Sequence, residues 1–176
     1  MDCALTGTPG VGKTTVSNLL REEGYEVLDL NRFIKENDLS EGEDPKRDSL
    51  EVDIGKLKEV YEKKKKDLNV KIVEGHLSHH LSLSPTIVLR CSPAELKKRM
   101  EKKGWDEEKI EENLEAEALD GILIEALDVC EEVYEIDTTE KDPEEVTECV
   151  KEILNGETEM YEPGEIDWTE EYFSGR

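Results

Sequence analysis

The stretch MDCALTGTPGVGKTT, residues 1–15, holds a complete GxxxxGK[ST] pattern at Gly7–Thr14. A short apolar β-type run precedes the pattern. From Lys13 to about Glu23, Val16, Leu19 and Leu20 recur at helical spacing, and Gly24 stops the helix. Strand, glycine loop and helix in that order give the pattern its physical meaning. Glycines let the backbone curl so that successive N–H groups face one phosphate, and the helix N-terminus adds its positive dipole end. Lys13 offers a mobile charge for β- and γ-phosphates, and the Thr14 hydroxyl can ligate Mg²⁺.

Downstream, strands are expected at 25–28, 69–73, 86–89 and 133–136. Helices are expected over 54–67, 93–104, 106–128 (broken near Gly121) and 143–154. Ser92-Pro93 reads as an N-cap followed by proline at the first helical position. The polar run DLSEGEDPKRDSLEVD, 38–53, reads as a loop or mobile insert. Strands alternating with helices predict an α/β three-layer fold, a five-stranded parallel sheet covered on both faces.

Length and charge narrow the function. The 176 residues suit one domain, whereas motor and transporter ATPases need far more chain, and no NKxD guanine motif is present. A small phosphotransferase or a small ATPase remains. No apolar run is long enough to span a bilayer, and the N-terminus lacks a signal peptide's basic start, so membrane insertion and secretion are not expected. The net charge of -23 is uneven: residues 1–100 carry 17 basic and 18 acidic side chains, residues 101–176 carry 6 and 28. Such a surface repels bare nucleic acid and attracts a basic protein, although a merely solvated acidic helix face has the same composition. Cys3, Cys91, Cys130 and Cys149 match no zinc or redox spacing and read as reduced thiols of a cytosolic or nuclear protein.

Three further groups carry chemistry. Asp29-Leu30-Asn31-Arg32 follows the second strand, where Arg32 can hold a second phosphate, or a carboxylate, through its planar fork. Glu74-Gly75-His76 follows the third strand, the place of a Walker-B acid, with Glu74 for Mg²⁺ and His76 to orient a reacting group. All three histidines lie in that segment (His76, His79, His80), without another matching metal ligand in sequence. Arg99, beside Lys102, Lys103 and Gly104, can close over phosphates as a lid or simply favour a helix C-terminus. The acidic tail 155–176 carries Tyr161, Trp168, Tyr172 and Phe173, so it either frays or docks.

The order of phosphate loop, DxxR, acid-x-His, then VLRCSPAELKKRMEKKGWDEEKIEENLEAE (88–117) resembles the adenylate kinase isoenzyme six family, which includes the coilin-interacting nuclear ATPase. The segment Arg99, Gly104, Trp105, Lys109, Asn113 is its most specific part. The resemblance implies a nucleoside monophosphate kinase domain over 1–154, with an acceptor segment near 30–53 and a lid near 99–113. It also implies ATP and AMP as substrates with Mg²⁺, some ATPase activity, and a role in small-ribosomal-subunit maturation beside a basic ribosomal protein. It carries Gly10, Val11, Gly12, Lys13, Thr14 and Thr15 onto the ATP-phosphate loop and Arg32 onto the AMP phosphate. Glu74 and His76 match the Walker-B acid and histidine, Arg99 the lid arginine, and Asp137-Thr138-Thr139 the turn beside adenine. Two departures stand out: Glu74 where the family commonly has Asp, and Lys103 where a second lid arginine is common. Lysine cannot clamp a phosphate in a bidentate way. A nucleotide-gated assembly factor with vestigial kinase activity, and a kinase for a sugar or shikimate-like acid, are the alternatives.

Overall fold

The computed structural model describes residues 2–44 and 49–174. In chain order the elements begin β1 (Cys3–Gly7), α1 (Lys13–Glu22), β2 (Val27–Asp29), α2 (Leu30–Glu36), β3 (Ser40–Asp44), β4 (Ser49–Val52), α3 (Ile54–Leu68) and β5 (Ile72–Glu74). A 3₁₀ turn (Ser78–Leu81) leads to β6 (Thr86–Arg90), α4 (Pro93–Lys102), α5 (Glu107–Ala118), α6 (Gly121–Val129), β7 (Val133–Asp137), α7 (Pro143–Leu154) and α8 (Thr169–Ser174). The main sheet is parallel, in the order β2-β5-β1-β6-β7. This is the α/β architecture expected from the alternating pattern.

Each central strand is apolar on both faces because both are covered. Along β1, Cys3 and Leu5 point into one core with Val16 and Leu20 of α1 and Val146 and Val150 of α7. Ala4, between them, points into a second core with Leu30, Phe33, Ile34, Leu57 and Tyr61. The period of two then repeats in β5, with Ile72 on the first side and Val73 on the second.

The strand order places the site. After β1 the chain crosses to β2; after β5 it returns past β1 to β6. The crevice therefore opens at the C-terminal ends of β1 and β5, the switch point where ligands bind in such sheets.

Local reading missed some elements. The stretch expected as a polar loop forms the antiparallel pair β3 and β4, with Ser40 opposite Val52, while residues 45–48 lie outside the described residues. A backbone ladder holds such a pair, so side-chain composition conceals it. Helix α2 was not expected. It starts on Asp29, whose carboxylate accepts from the Arg32 N–H at 3.0 Å, and buries Leu30, Phe33 and Ile34. Strand β5 begins three residues later than apolar content implied, since its ends follow pairing with β1, Cys3 opposite Ile72 and Leu5 opposite Glu74. Ser92 caps α4 as expected, accepting from the Glu95 N–H at 3.3 Å with Pro93 next. The acidic run breaks into α5 and α6 at Asp120, whose φ is 56°. The tail docks: Tyr161 and Trp168 pack on the first core and Tyr172 is buried in it.

Candidate active site

The loop leaves β1 at Gly7 (φ 139°), where a Cβ would stand 2.5 Å from the Leu89 carbonyl oxygen of β6. Only glycine permits that approach. Gly12 (φ 115°) caps α1 without a side-chain acceptor, while Asp29, Asp53, Ser92, Asp106 and Asp142 each cap their own helix. The first-turn N–H groups of α1 are thus left for an anion.

Lys13 is folded back over the loop, its Nζ donating to the Gly7 carbonyl at 2.6 Å and the Thr8 carbonyl at 3.1 Å. Burial pulls its pKa down to about 8, against the opposing pull of Glu74 and Glu117, and the like charge of Lys103 lowers it further. Lys103 therefore acts on the phosphate loop from the turn after α4, although it is a lysine and not an arginine.

Glu74 ends β5 beside the loop, 6% exposed, and its Oε1 lies 3.5 Å from the Thr14 hydroxyl. Burial raises its pKa, Lys13 opposes the rise, and Asp29, its cross-strand partner on β2, adds to it. A buried carboxylate facing a hydroxyl, with a second carboxylate next to it, is a hard-oxygen donor set suited to Mg²⁺. Glutamate at this position still reaches Thr14. Asp29 is the neighbour that reading the DxxR segment for its arginine passed over.

His76 is half-buried, and burial together with Lys13 pulls its pKa down to about 4, so it is a neutral imidazole at ordinary pH. Asp137 Oδ1 accepts from the Thr139 N–H at 2.9 Å and its hydroxyl at 2.5 Å, closing the turn after β7. Within that turn Thr138 Oγ1 lies 3.1 Å from the Val11 carbonyl oxygen, so the expected adenine turn abuts the phosphate loop.

Arg99 joins the same wall. Its Nη1 donates to the Val11 carbonyl at 3.3 Å and to Thr138 Oγ1 at 3.1 Å; its Nη2 donates to the Thr138 carbonyl at 2.8 Å and the Thr139 carbonyl at 3.3 Å. In this structure the guanidinium braces loop and turn together. A lid-arginine role would require those bonds to be released. Arg32 stands apart: its side chain is 76% exposed and ion-paired with Glu36 at 2.7 Å. The structure brings Lys13, Thr14, Glu74, Arg99, Asp137 and Thr138 around one loop and leaves Arg32 on the outer rim.

A buried network behind the loop escaped sequence reading. Thr8 donates to Glu117 Oε2 at 2.5 Å, and Glu117 Oε1 accepts from Arg90 Nε at 2.8 Å and the Cys91 N–H at 3.1 Å. Arg90, 1% exposed, also bonds Asp120 and, at 3.0 Å, Glu135. Glu135 accepts from the tail N–H groups of Gly164 at 2.8 Å and Ile166 at 3.4 Å. The acid-rich half read as a solvated face thus contains two buried glutamates that tie the tail to the phosphate loop. Only Arg90, a lone charge at the end of an apolar strand, signalled it.

Residues 4–120 match a family model described as an AAA domain. Relatives named "Putative adenylate kinase" are 46% identical in Archaeoglobus fulgidus (96% of this chain, 92% of the relative) and 43% in Thermococcus kodakarensis (98% and 95%). Another in Methanocaldococcus jannaschii is 40% identical (98% and 96%). Among solved structures, shikimate kinase from Bacteroides thetaiotaomicron superposes with TM-score 0.54 at 16% identity, covering 88% of this chain and 98% of the other. That likeness is one of fold alone.

Proposed function

Since the chain belongs to the family of these archaeal "Putative adenylate kinase" proteins, P-loop nucleotide kinases in fold and motif, we propose that it transfers a phosphoryl group from Mg·ATP to AMP. The observation that carries this reading is the convergence of Lys13, Thr14 and Glu74 at the β1–β5 switch point. Lys13 and the loop N–H groups hold the β,γ-phosphates, and Thr14 and Glu74 hold Mg²⁺, which neutralises phosphate charge when bound. Lys103 adds positive charge near Lys13, His76 is a neutral hydrogen-bonding group beside the phosphates, and Arg99 holds the wall that positions ATP. Arg32 is the acceptor-phosphate residue, reached when the β2–α2 rim folds inward. No covalent intermediate is needed, because positioning and charge stabilisation supply the catalysis.

The test is to incubate the purified chain with Mg·ATP, with and without AMP, following ADP and free phosphate. Two ADP per AMP consumed, with little phosphate, is the expected result. Phosphate release indifferent to AMP would replace the kinase with an ATPase switch.

One surface feature favours a second reading, a nucleotide-gated factor that binds a basic ribosomal protein during small-subunit maturation. Leu119, Ile124, Leu127 and Val129 are exposed apolar residues around α6, within the acid-rich part of the chain. An apolar ridge framed by carboxylates suits a basic partner. Ile124→Asp with Leu127→Asp should weaken pull-down of a basic small-subunit ribosomal protein and leave ADP formation intact; unchanged capture would remove this surface from the reading.

A further inference from the structure

The 3₁₀ turn that follows the Glu74 segment carries two adjacent histidines that the phosphate site does not use. In sequence they have no third ligand; the fold supplies one. Helix α6 packs over the turn. It places Glu125 Oε2 at 3.1 Å from His79 Nε2 and 3.7 Å from His80 Nε2, with all three donor atoms within 4.8 Å of one another. Ligand atoms around a tetrahedral Zn²⁺, each at about 2.0–2.2 Å from the ion, stand about 3.3 Å apart. The carboxylate already sits near that separation from both imidazoles. At 3.7 Å, His80 Nε2 is beyond hydrogen-bond length from Glu125, so a hydrogen bond does not account for its placement.

The surroundings are those of a metal site as well. His79 is fully buried, while the side chains of His80 and Glu125 are 21% and 57% exposed, so an ion enters from solvent and finds one side open for water. Burial, first among the causes, keeps the His79 pKa down at about 4 and that of His80 below its usual value, so each ring is neutral, with one N–H and one free nitrogen. Without an ion, the 3.1 Å contact from His79 Nε2 to Glu125 is a hydrogen bond, which a metal at Nε2 would replace. His79 Nδ1 lies 3.0 Å from Thr6 Oγ1, which in turn lies 3.3 Å from the His76 carbonyl oxygen. An ion on Nε2 would place the imidazole proton on Nδ1, donating to Thr6, which then donates to the His76 carbonyl. A ligating histidine oriented through its other nitrogen is the usual outer shell of a bound metal.

We propose that His79, His80 and Glu125 bind a divalent transition-metal ion of the zinc class, separate from the Mg·nucleotide site. The ion fastens the turn behind the phosphate loop to α6. Two imidazoles and one carboxylate suit Zn²⁺ or Co²⁺ better than Mg²⁺, which prefers oxygen donors.

The experiment is a titration of the full chain, stripped with EDTA and dialysed, with ZnCl₂ against a chromophoric zinc chelator in excess Mg²⁺ without nucleotide. One tight ion per chain is expected, with a rise in Tm on zinc addition. His80→Ala, at a half-buried position, and Glu125→Ala, at an exposed one, should each weaken binding by at least about tenfold and abolish the Tm rise. Co²⁺ should give the strong visible bands of a four-coordinate site in the wild type and lose them in both variants. Cys130→Ser should bind as the wild type does, because the Cys130 thiol donates to the His79 carbonyl at 3.2 Å and is not among the three donors. No zinc binding by the wild type, equal binding by the His80 and Glu125 variants, or loss only in Cys130→Ser would overturn the proposal. None of these readouts depends on kinase activity.

Discussion

The two lips of the crevice are built in opposite ways. On the lip formed by the phosphate loop, α4 and the turn after β7, Arg99 donates to carbonyls of Val11, Thr138 and Thr139, and Thr8 is anchored through Glu117 to the buried Arg90. On the β2–α2 lip, Arg32 is mostly exposed and meets Glu36 in its own helix, and the adjoining β3–β4 pair stands outside the main sheet. One lip is preformed, with its cations already oriented by protein acceptors. The other turns its arginine outward onto Glu36, and on the proposed reading that ion pair must be exchanged for the acceptor phosphate, which weakens binding there.

The harshest way to break this contrast is at Lys13. Lys13→Ala should lower turnover by at least about 10³-fold with the fold retained, because it removes a charge directed at the transferring group. Near-native activity in a coupled ADP assay would show that the preformed lip is not the site.

Next comes stability. Arg90→Met leaves Glu117, Glu135 and Asp120 without their shared cation. Breaking a buried network from one side should cost about 3–5 kcal/mol in urea unfolding. Arg32→Ala, an exposed position, should leave the urea midpoint nearly unmoved. Equal effects would erase the distinction between lips.

Arg32→Ala sharpens the comparison kinetically. It should raise the KM for AMP roughly tenfold or more, as loss of a charge-assisted hydrogen bond predicts, while the KM for ATP stays within about twofold. A change in the ATP constant instead would move Arg32 to the other lip.

The smallest effects are in pH. Lys13 loses its proton near pH 8 in the nucleotide-free fold and near its usual 10.5 when unfolded. Across that window the unfolded chain binds more protons, so this group makes the empty protein more stable as pH rises. ATP affinity, which needs the charged amine, should fall over the same range. His76, held near 4, should contribute no inflection to the activity profile between pH 6 and 7. Calorimetric titration at several pH values and a rate profile would check both signs.

Much of this was legible in local residue order. A glycine loop between an apolar run and an amphipathic helix identifies itself, because Gly7 and Gly12 are required by backbone geometry and Lys13 and Thr14 by phosphate chemistry. Ser92-Pro93 announced α4 for the same reason: capping is decided within four residues. Helix α2 went unread because three buried residues in seven give a weak periodic signal. Glu117, in the acidic helix α5, and Glu135, in strand β7, went unread because an acidic residue looks solvated until its partner is located.

By itself, then, the sequence determined the loop, the Ser92-Pro93 start of α4, the alternation of strands and helices, and the site of the acid at Glu74. Those features depend on conformational preferences and chemistry spanning a few residues. Tertiary structure alone decided which strand lies beside β1, that Arg99 is braced against Thr138, that Arg90 gathers Glu117 and Glu135 under the tail, and that Glu125 reaches His79 and His80. Each of these pairs residues distant in the chain, and such contacts are set by how sheet register and helix packing close the two cores, which no local pattern encodes.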